Sequence, residues 1–428
     1  GHGEDVHFTR WDGINFTSPL MLDPMDMSIF TASWAGPDLA TFGDTMYVVF
    51  KENPEDIAPI YCLHSYDGGF TFSDPVIVDG MIGDNISRFP SVTVNDEGQP
   101  IVAFMKLDSD FGNAQYVVST SDDFGNSFNM DVLASDFSGG EVCDCCPVGV
   151  TAKDNYVATL YRDNLDNLRN SWAGISTTGG DMFMNGIQID QTDWIINACP
   201  SSGPDGVIIN DSLYSVFMSA GEGDSRVYFS ASSLSALTDE PDVRLTDEFT
   251  ELSLQNYPRI ANYGYTTAIV WKQNVNTESE IPILFTENIT EGLPAIYDSV
   301  AYLDYYGLEN ADVAVSSTAV HVVWQDNYND VVMYRKGTYA DPVSINEQLE
   351  SDVIKIYPNP AEDFVYVEYR SNEKVLPEVS DITGRKYVID YTIFENEIKI
   401  NTSSLPKGIY FLSVHDSDSN YTGKFLIK

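Results

Sequence analysis

The chain repeats itself. Short apolar runs that close on an aromatic residue recur along it: Tyr47–Phe50, Ile101–Phe104, Val157–Tyr161, Tyr214–Phe217, Ala268–Trp271 and His321–Trp324. The closing aromatics are spaced 54, 57, 56, 54 and 53 residues apart. A period in this range means that one supersecondary unit is copied and must stack on its neighbours to bury its apolar faces. Each run follows another β-type stretch, such as Ser91–Val94 or Arg259–Ala261. Past a polar loop comes a third: Ile60–His64, Tyr116–Thr120, Ala173–Ser176, Val227–Ala231, Ile283–Thr286 and Val331–Arg335. β-branched residues between small Gly, Asn and Asp turns read as strands. Strand–turn–strand–loop–strand–turn–strand, six times over, is the pattern of a six-bladed β-propeller. The segment up to Asp23 is surplus to six blades. It is expected to supply outer strand(s) to the last one, closing the ring and removing its free edges.

A second marker keeps the same period. Ser65-Tyr66-Asp67-Gly68-Gly69-Phe70-Thr71-Phe72 returns as Ser121-Asp122-Asp123-Phe124-Gly125-Asn126-Ser127-Phe128, and in worn form from Ser176 to Phe183. The chemistry is that of a tight turn: Asp accepts from turn amides, Gly takes positive φ, and the aromatic packs between sheets. These stretches resemble the Asp-boxes of sialidase-like (BNR-repeat) propellers. The resemblance implies a structural role for them, with no part in catalysis.

The pattern stops near Asn346. Residues 346–353 read as a linker between a propeller over 1–345 and a second domain over 354–428. There Ile354-Lys355-Ile356-Tyr357-Pro358-Asn359-Pro360 is followed by Phe364–Tyr369, Asp381-Ile382-Thr383-Gly384-Arg385, Leu405–Leu412 and Gly423–Lys428. Alternating strands with short turns read as a small Ig-like β-sandwich. The motifs, in this order, resemble the type A C-terminal sorting domain of the type IX secretion system. That resemblance implies export across a Bacteroidetes outer membrane, with the secretion machinery as partner through 354–428. The chain starts Gly1-His2-Gly3 without Met or an apolar leader, which reads as a signal peptide already removed. No apolar run reaches membrane-spanning length. The fold class expected is therefore all-β throughout.

Charge narrows the partners. Asp+Glu is 65 against Lys+Arg 22, a formal net charge of −43. Residues 345–428 hold 9 basic and 14 acidic residues, leaving 13 against 51 for the rest, so the acidity belongs to the propeller. Such a field argues against nucleic acid or an anionic membrane as partner.

In a propeller the innermost strand of each blade lines the axial channel. The loops feeding these strands share a face with the loops between second and third strands. Here the lead into the inner strand is repeatedly X-Pro: Gly36-Pro37, Phe89-Pro90, Cys146-Pro147, Cys199-Pro200 and Tyr257-Pro258. Cys146 and Cys199 are thus expected at equivalent positions in neighbouring blades, with Cys143 and Cys145 beside them. Three readings of these four cysteines stand: disulfides, natural in a secreted chain, with three possible pairings; a soft-metal site for copper or zinc; or redox chemistry at a reactive thiol. Cys62 reads as a buried free thiol. On the same face runs Leu160-Tyr161-Arg162-Asp163-Asn164-Leu165-Asp166-Asn167-Leu168-Arg169-Asn170. Arg162 and Arg169 are candidates to bind a carboxylate or phosphate through paired donors, with Glu141 and Asp163 as further candidate ligand-binding residues. The alternative is that they brace one another. The acidic loops Asp108–Asn113 and Asp326–Asp330 are candidates for calcium, or are solvated turns.

The resemblance to sialidases invites a test. Ser87-Arg88-Phe89-Pro90-Ser91 is similar to the family's arginine-bearing strand lead, with Arg259 and Arg226 as possible partners. A further arginine implied by the family is Lys106 here, and no Tyr–Glu nucleophile pair is evident. The reading is an exported binding module with a cysteine centre at its axis. The alternative is a sialidase-type glycoside hydrolase using Arg88 and Arg259 at the same mouth.

Overall fold

The computed structural model describes residues 5–13, 15–24, 27–80, 86–246, 252–339, 355–368, 376–381, 385–394, 397–415 and 420–427. The chain divides into two compact units, Gly1–Tyr339 and Ala340–Lys428. The expected linker at 346–353 lies outside the described residues.

Among the described residues, the first unit holds six antiparallel blade sheets in chain order and one small two-stranded sheet before them. Blade 1 is Asp38–Phe42, Thr45–Lys51, Ile60–Ser65 and Val76–Ile77. Blade 2 is Ile86–Val94, Pro100–Leu107, Gln115–Thr120 and Val132–Leu133. Blade 3 is Gly149–Lys153, Tyr156–Asn164, Ser171–Ser176 and Phe183–Gln188, with Glu141–Val142 added against Asp163 and Asn164. Blade 4 is Asp205–Ile209, Ser212–Ser219, Arg226–Ser233 and Thr238–Asp239, with Val243–Arg244 also paired to its third strand. Blade 5 is Leu252–Tyr263, Thr266–Val275, Glu278–Thr286 and Asp298–Leu303. Blade 6 is Leu308–Val315, Ala319–Asp326 and Val331–Thr338.

The first strand of every blade contributes to one axial channel of about 730 Å³, so the sheets stand in a ring. Both faces of each sheet must then be apolar, because each packs on a neighbour. Met105 and Tyr116 of blade 2 share a core with Val150 and Tyr161 of blade 3. Val216 of blade 4 shares one with Ile269 and Trp271 of blade 5. Burying such side chains contributes roughly 1.5–3 kcal/mol each.

The N-terminal segment closes the ring differently from expectation. His7–Phe8 pairs with Leu20–Met21 as a sheet of its own rather than extending blade 6. Trp11 and Phe16 pack their rings on Tyr334 of blade 6, at 6.2 and 5.2 Å between centroids. Val6, Leu22 and Ile29 bury against Val48, Phe50 and Leu63 of blade 1. Among the described residues, this segment reaches blade 6 through ring packing and blade 1 through apolar packing and the backbone bonds of Ser28 and Phe30 to Asn53 and Lys51.

Where inner strands begin, the backbone bulges. Register shifts fall between Arg88 and Ser91, Asn256 and Arg259, and Glu309 and Asp312. Inside these shifts Phe89, Tyr257 and Asn310 hold φ of 54°, 52° and 49°. Bulky residues at positive φ are costly and persist only where their surroundings enforce them, commonly at functional sites. The three lie at corresponding positions of their blades, so this strain belongs to one rim.

The second unit is a two-sheet sandwich. One sheet is Lys355–Tyr357, Phe364–Glu368, Glu397–Asn401 and Tyr391–Ile393; the other is Lys386–Tyr387, Leu376–Asp381, Gly408–His415 and Asn420–Ile427. Val365, Val367, Ile398 and Ile400 from the first bury against Val379, Leu412, Val414 and Phe425 from the second. Alternate residues of each strand face inward, the period-two pattern of a half-buried strand.

Candidate functional site

The cysteine loop is a tight turn fixed on several sides. The amide of Cys146 donates to the carbonyl of Cys143 (3.2 Å), and the amide of Cys143 donates to Arg162 (2.8 Å). The Tyr116 hydroxyl donates to the Cys146 carbonyl, and Arg88 Nη1 donates to that of Asp144 at 3.1 Å. The turn brings the Sγ atoms of Cys143 and Cys146 to 2.7 Å, and those of Cys143 and Cys145 to 3.4 Å. Cys145 is bonded to Cys199, with Cα atoms 6.2 Å apart, while Cys143 and Cys146 are buried free thiols.

The four cysteines therefore converge, but the expected equivalence of Cys146 and Cys199 does not hold. The proline that leads into the inner strand of blade 4 is Pro204, directly before Asp205. Cys199 sits upstream in an exposed loop and reaches back to Cys145. Gly203 explains the close seam: a Cβ there would collide with the carbonyl of Pro147, the corresponding residue of blade 3.

Arg162 is fully buried. Its Nε donates to the Ser202 carbonyl at 3.1 Å, and its Nη atoms donate to the carbonyls of Arg169 and Met218. Asp190, also buried, lies 4.0 Å from it. These bonds tie blade 3 to blade 4 and leave the guanidinium engaged with the backbone. Asp163 is buried and accepts from Ser138 at 2.7 Å; burial raises its pKa. Glu141 is exposed. Arg169 differs from Arg162: it is buried, yet its Nε and Nη1 have no hydrogen-bond partner among the described residues. An unmatched buried donor is costly, and it is the kind of group a ligand satisfies.

The axial channel supplies the second half of the site. Asp38, Asp205, Asp312 and Arg259 line it, with the indole of Trp34. Asp38 and Asp205 each clamp the next blade. Asp38 Oδ2 accepts from Ser91 Oγ (2.8 Å) and the Val92 amide (2.9 Å), and Asp205 Oδ2 accepts from the Ile260 amide (3.0 Å). Burial pushes Asp205 up to about 6, with the charge of Arg259 offsetting part of the effect. Asp312 is raised by the same cause and eased by the same arginine. Trp34 Nε1 is a buried donor without a hydrogen-bond partner among the described residues. Of these, only Arg259 was singled out from the sequence; Trp34, Asp38, Asp205 and Asp312 were not. The available signal was the tripeptide Gly-Pro-Asp, which occurs at 36–38 and again at 203–205.

Other cations near this face are committed. Arg88 pairs with Glu55 at 2.6 Å, Lys106 with Asp131 at 2.6 Å, Lys272 with Glu309 at 2.5 Å and Arg226 with Asp224 at 3.2 Å. Among the described residues, Cys143, Cys145 and Cys146 form the one group of three metal-ligating side chains, their sulfurs within 4.8 Å. With Cys145 in a disulfide, two thiols face each other there, fewer than the ligands of a structural zinc site. In the loops considered for calcium, Asp108 accepts from Asn113, and Asp326 accepts from Tyr328 and Asn329.

Residues 355–428 match the family described as the secretion system C-terminal sorting domain. No curated protein sequence matches the chain. Solved structures are similar at low identity. The NanB sialidase of Streptococcus pneumoniae is 10% identical over 72% of this chain and 70% of that one, with a TM-score of 0.49. A Penicillium chrysogenum alpha-L-arabinanase is 12% identical over 74% and 96%, with a TM-score of 0.45. A PL25 ulvan lyase is 9% identical over 94% and 93%, with a TM-score of 0.45. The sorting domain marks a protein exported across the outer membrane by the type IX system, to the cell surface or beyond. Among the described residues, no helix is long and apolar enough to cross a membrane.

Proposed function

We propose that the propeller is an exported binding module whose ligand enters the axial channel on the bulged face. The ligand class is neutral and rich in hydroxyl groups, a glycan without acidic sugars. One observation carries this reading. The channel sets three aspartates against one arginine, while Arg88, Lys106, Lys272 and Arg226 are held by carboxylates of their own. Carboxylates accept from hydroxyls, and Arg259 and the spare Trp34 N–H donate to them, whereas a carboxylated sugar would meet a repelling field. The cysteine centre fastens the rim beside this channel, the disulfide reading of the cluster. Calorimetric titration with neutral and sialylated oligosaccharides tests the proposal. Binding of a neutral glycan that Arg259→Met abolishes supports it; preference for the sialylated one overturns it.

A hydrolase at the same mouth is the second reading, favoured by the raised pKa of Asp205, since a carboxyl that keeps its proton up to about pH 6 can act as a general acid under mildly acidic conditions. Release of reducing sugar from the bound glycan, lost in Asp205→Asn with binding kept, would favour it. Arg88, held by Glu55 and by the cysteine loop, is assigned to the rim rather than to substrate.

A further inference from the structure

We infer that the four cysteines form an internal relay that moves two electrons from the buried Cys143/Cys146 dithiol to the exposed Cys145–Cys199 disulfide. The geometry has the order built in. Cys143 Sγ stands 2.7 Å from one sulfur and 3.4 Å from another, so it is the shared member of both exchanges. Exposure rises along the chain of sulfurs: Cys143 and Cys146 are buried, Cys145 is half-buried and Cys199 is exposed.

The steps balance without an outside oxidant. The Cys143 thiolate attacks Cys145 Sγ; a Cys143–Cys145 bond forms, the Cys145–Cys199 bond breaks, and Cys199 leaves as a thiolate that water can protonate. Cys146 then attacks Cys143 Sγ, its proton passing to the departing Cys145 sulfur. The products are a buried Cys143–Cys146 disulfide and a Cys145/Cys199 dithiol, the latter within reach of a disulfide on another molecule. The electrostatics agree with this order. A hydrogen bond from Cys146, aided by Arg162 and Arg169, lowers the pKa of Cys143. Burial drives Cys146 up, which suits a thiol that acts second. Arg169, with two unspent donors, contributes its charge to Cys143. The relay does not depend on what the channel binds.

Alkylation mapping tests it. Full-length protein carrying one disulfide per chain is treated, folded, with N-ethylmaleimide, quenched in acid and digested without reductant. Mass spectrometry of the wild type is expected to find Cys145 and Cys199 alkylated and Cys143 linked to Cys146. Cys146→Ser stops halfway, with Cys143 linked to Cys145 and Cys199 alkylated. Cys143→Ser keeps the Cys145–Cys199 link and no label on Cys199. Cys62, buried in another blade, stays unlabelled wherever the fold is intact. The relay is overturned if wild type keeps Cys145–Cys199 throughout, or if Cys199 of Cys143→Ser is labelled while Cys62 is protected. Should Cys143→Ser unfold and expose Cys62, Cys146→Ser decides alone: a Cys143–Cys145 link supports the relay and its absence overturns it.

Discussion

The two faces of the propeller use the same residue for opposite ends. On the Asp-box face, Asp67 accepts from the amides of Phe70 (2.9 Å) and Thr71 (3.0 Å) and from the Thr71 hydroxyl (2.7 Å). Those bonds, the hydroxyl foremost, pull it down to about 2. Asp123 does the same with Ser127 and is lowered for the same reason. Gly125, at φ +86°, turns the chain where a Cβ would come 3.0 Å from the Tyr47 ring. In the channel, Asp205 also accepts from amides, yet burial outweighs them and pushes it up. Hydrogen bonds are similar in both places; access to water differs. A carboxylate that is solvated and fully bonded is a fastening, and one that is desolvated beside a lone arginine is available for chemistry or for a ligand.

If that contrast is right, substitutions near the bulged face should cost far more than substitutions in the turns. Arg162→Met strands three carbonyls and Asp190 in the blade 3–4 seam. It should cost about 3–5 kcal/mol in denaturant unfolding, and a smaller loss would mean that the seam relaxes around the gap. Cys199→Ser frees a loop whose bonded ends are 54 positions apart in sequence. The expected cost is about 2–4 kcal/mol, seen only under non-reducing conditions. Asp123→Ala removes turn bonds that water can replace in part, for about 1 kcal/mol or less; a cost rivalling Arg162→Met would break the comparison.

The finest test is the sign of the pH dependence. Asp205 sits above its ordinary 3.8 when folded, so the folded chain holds a proton that the unfolded chain has released between roughly pH 4 and 6. Its contribution to stability therefore falls as pH rises through that window, and Asp205→Asn should flatten the slope. Asp67 is depressed, so its contribution is present above about pH 4 and is lost as pH falls toward 2. Unfolding curves at stepped pH, with and without each substitution, should show slopes of opposite sign.

The repeat was legible because every blade must solve the same packing problem with the same strand pattern, so its period shows through worn copies such as Ser176 to Phe183. The sandwich was legible from its ordered motifs. Blade closure was misjudged because Trp11 and Phe16 act through their rings, and ring contacts leave no strand period to read. Cys199-Pro200 looked like the lead into a strand because Gly203-Pro204, four residues on, does that job with the same chemistry. The pairing of Cys145 with Cys199 depends on which way a four-residue turn presents its sulfurs, and spacing is silent on that. Arg162 and Arg169 share a stretch of sequence and a residue type; that one is spent on carbonyls and the other is not is decided by tertiary contacts alone.

The covalent link between blades 3 and 4 also sets a timetable. Cytosolic thiols are kept reduced, and bonds of this kind persist only in oxidising surroundings. A chain addressed for export must therefore travel its first stage with that seam unlatched, held by Arg162 and by apolar packing. Maturation would be completed by the destination itself: arrival hardens the ring, and a copy detained inside stays softer and easier prey for housekeeping proteases.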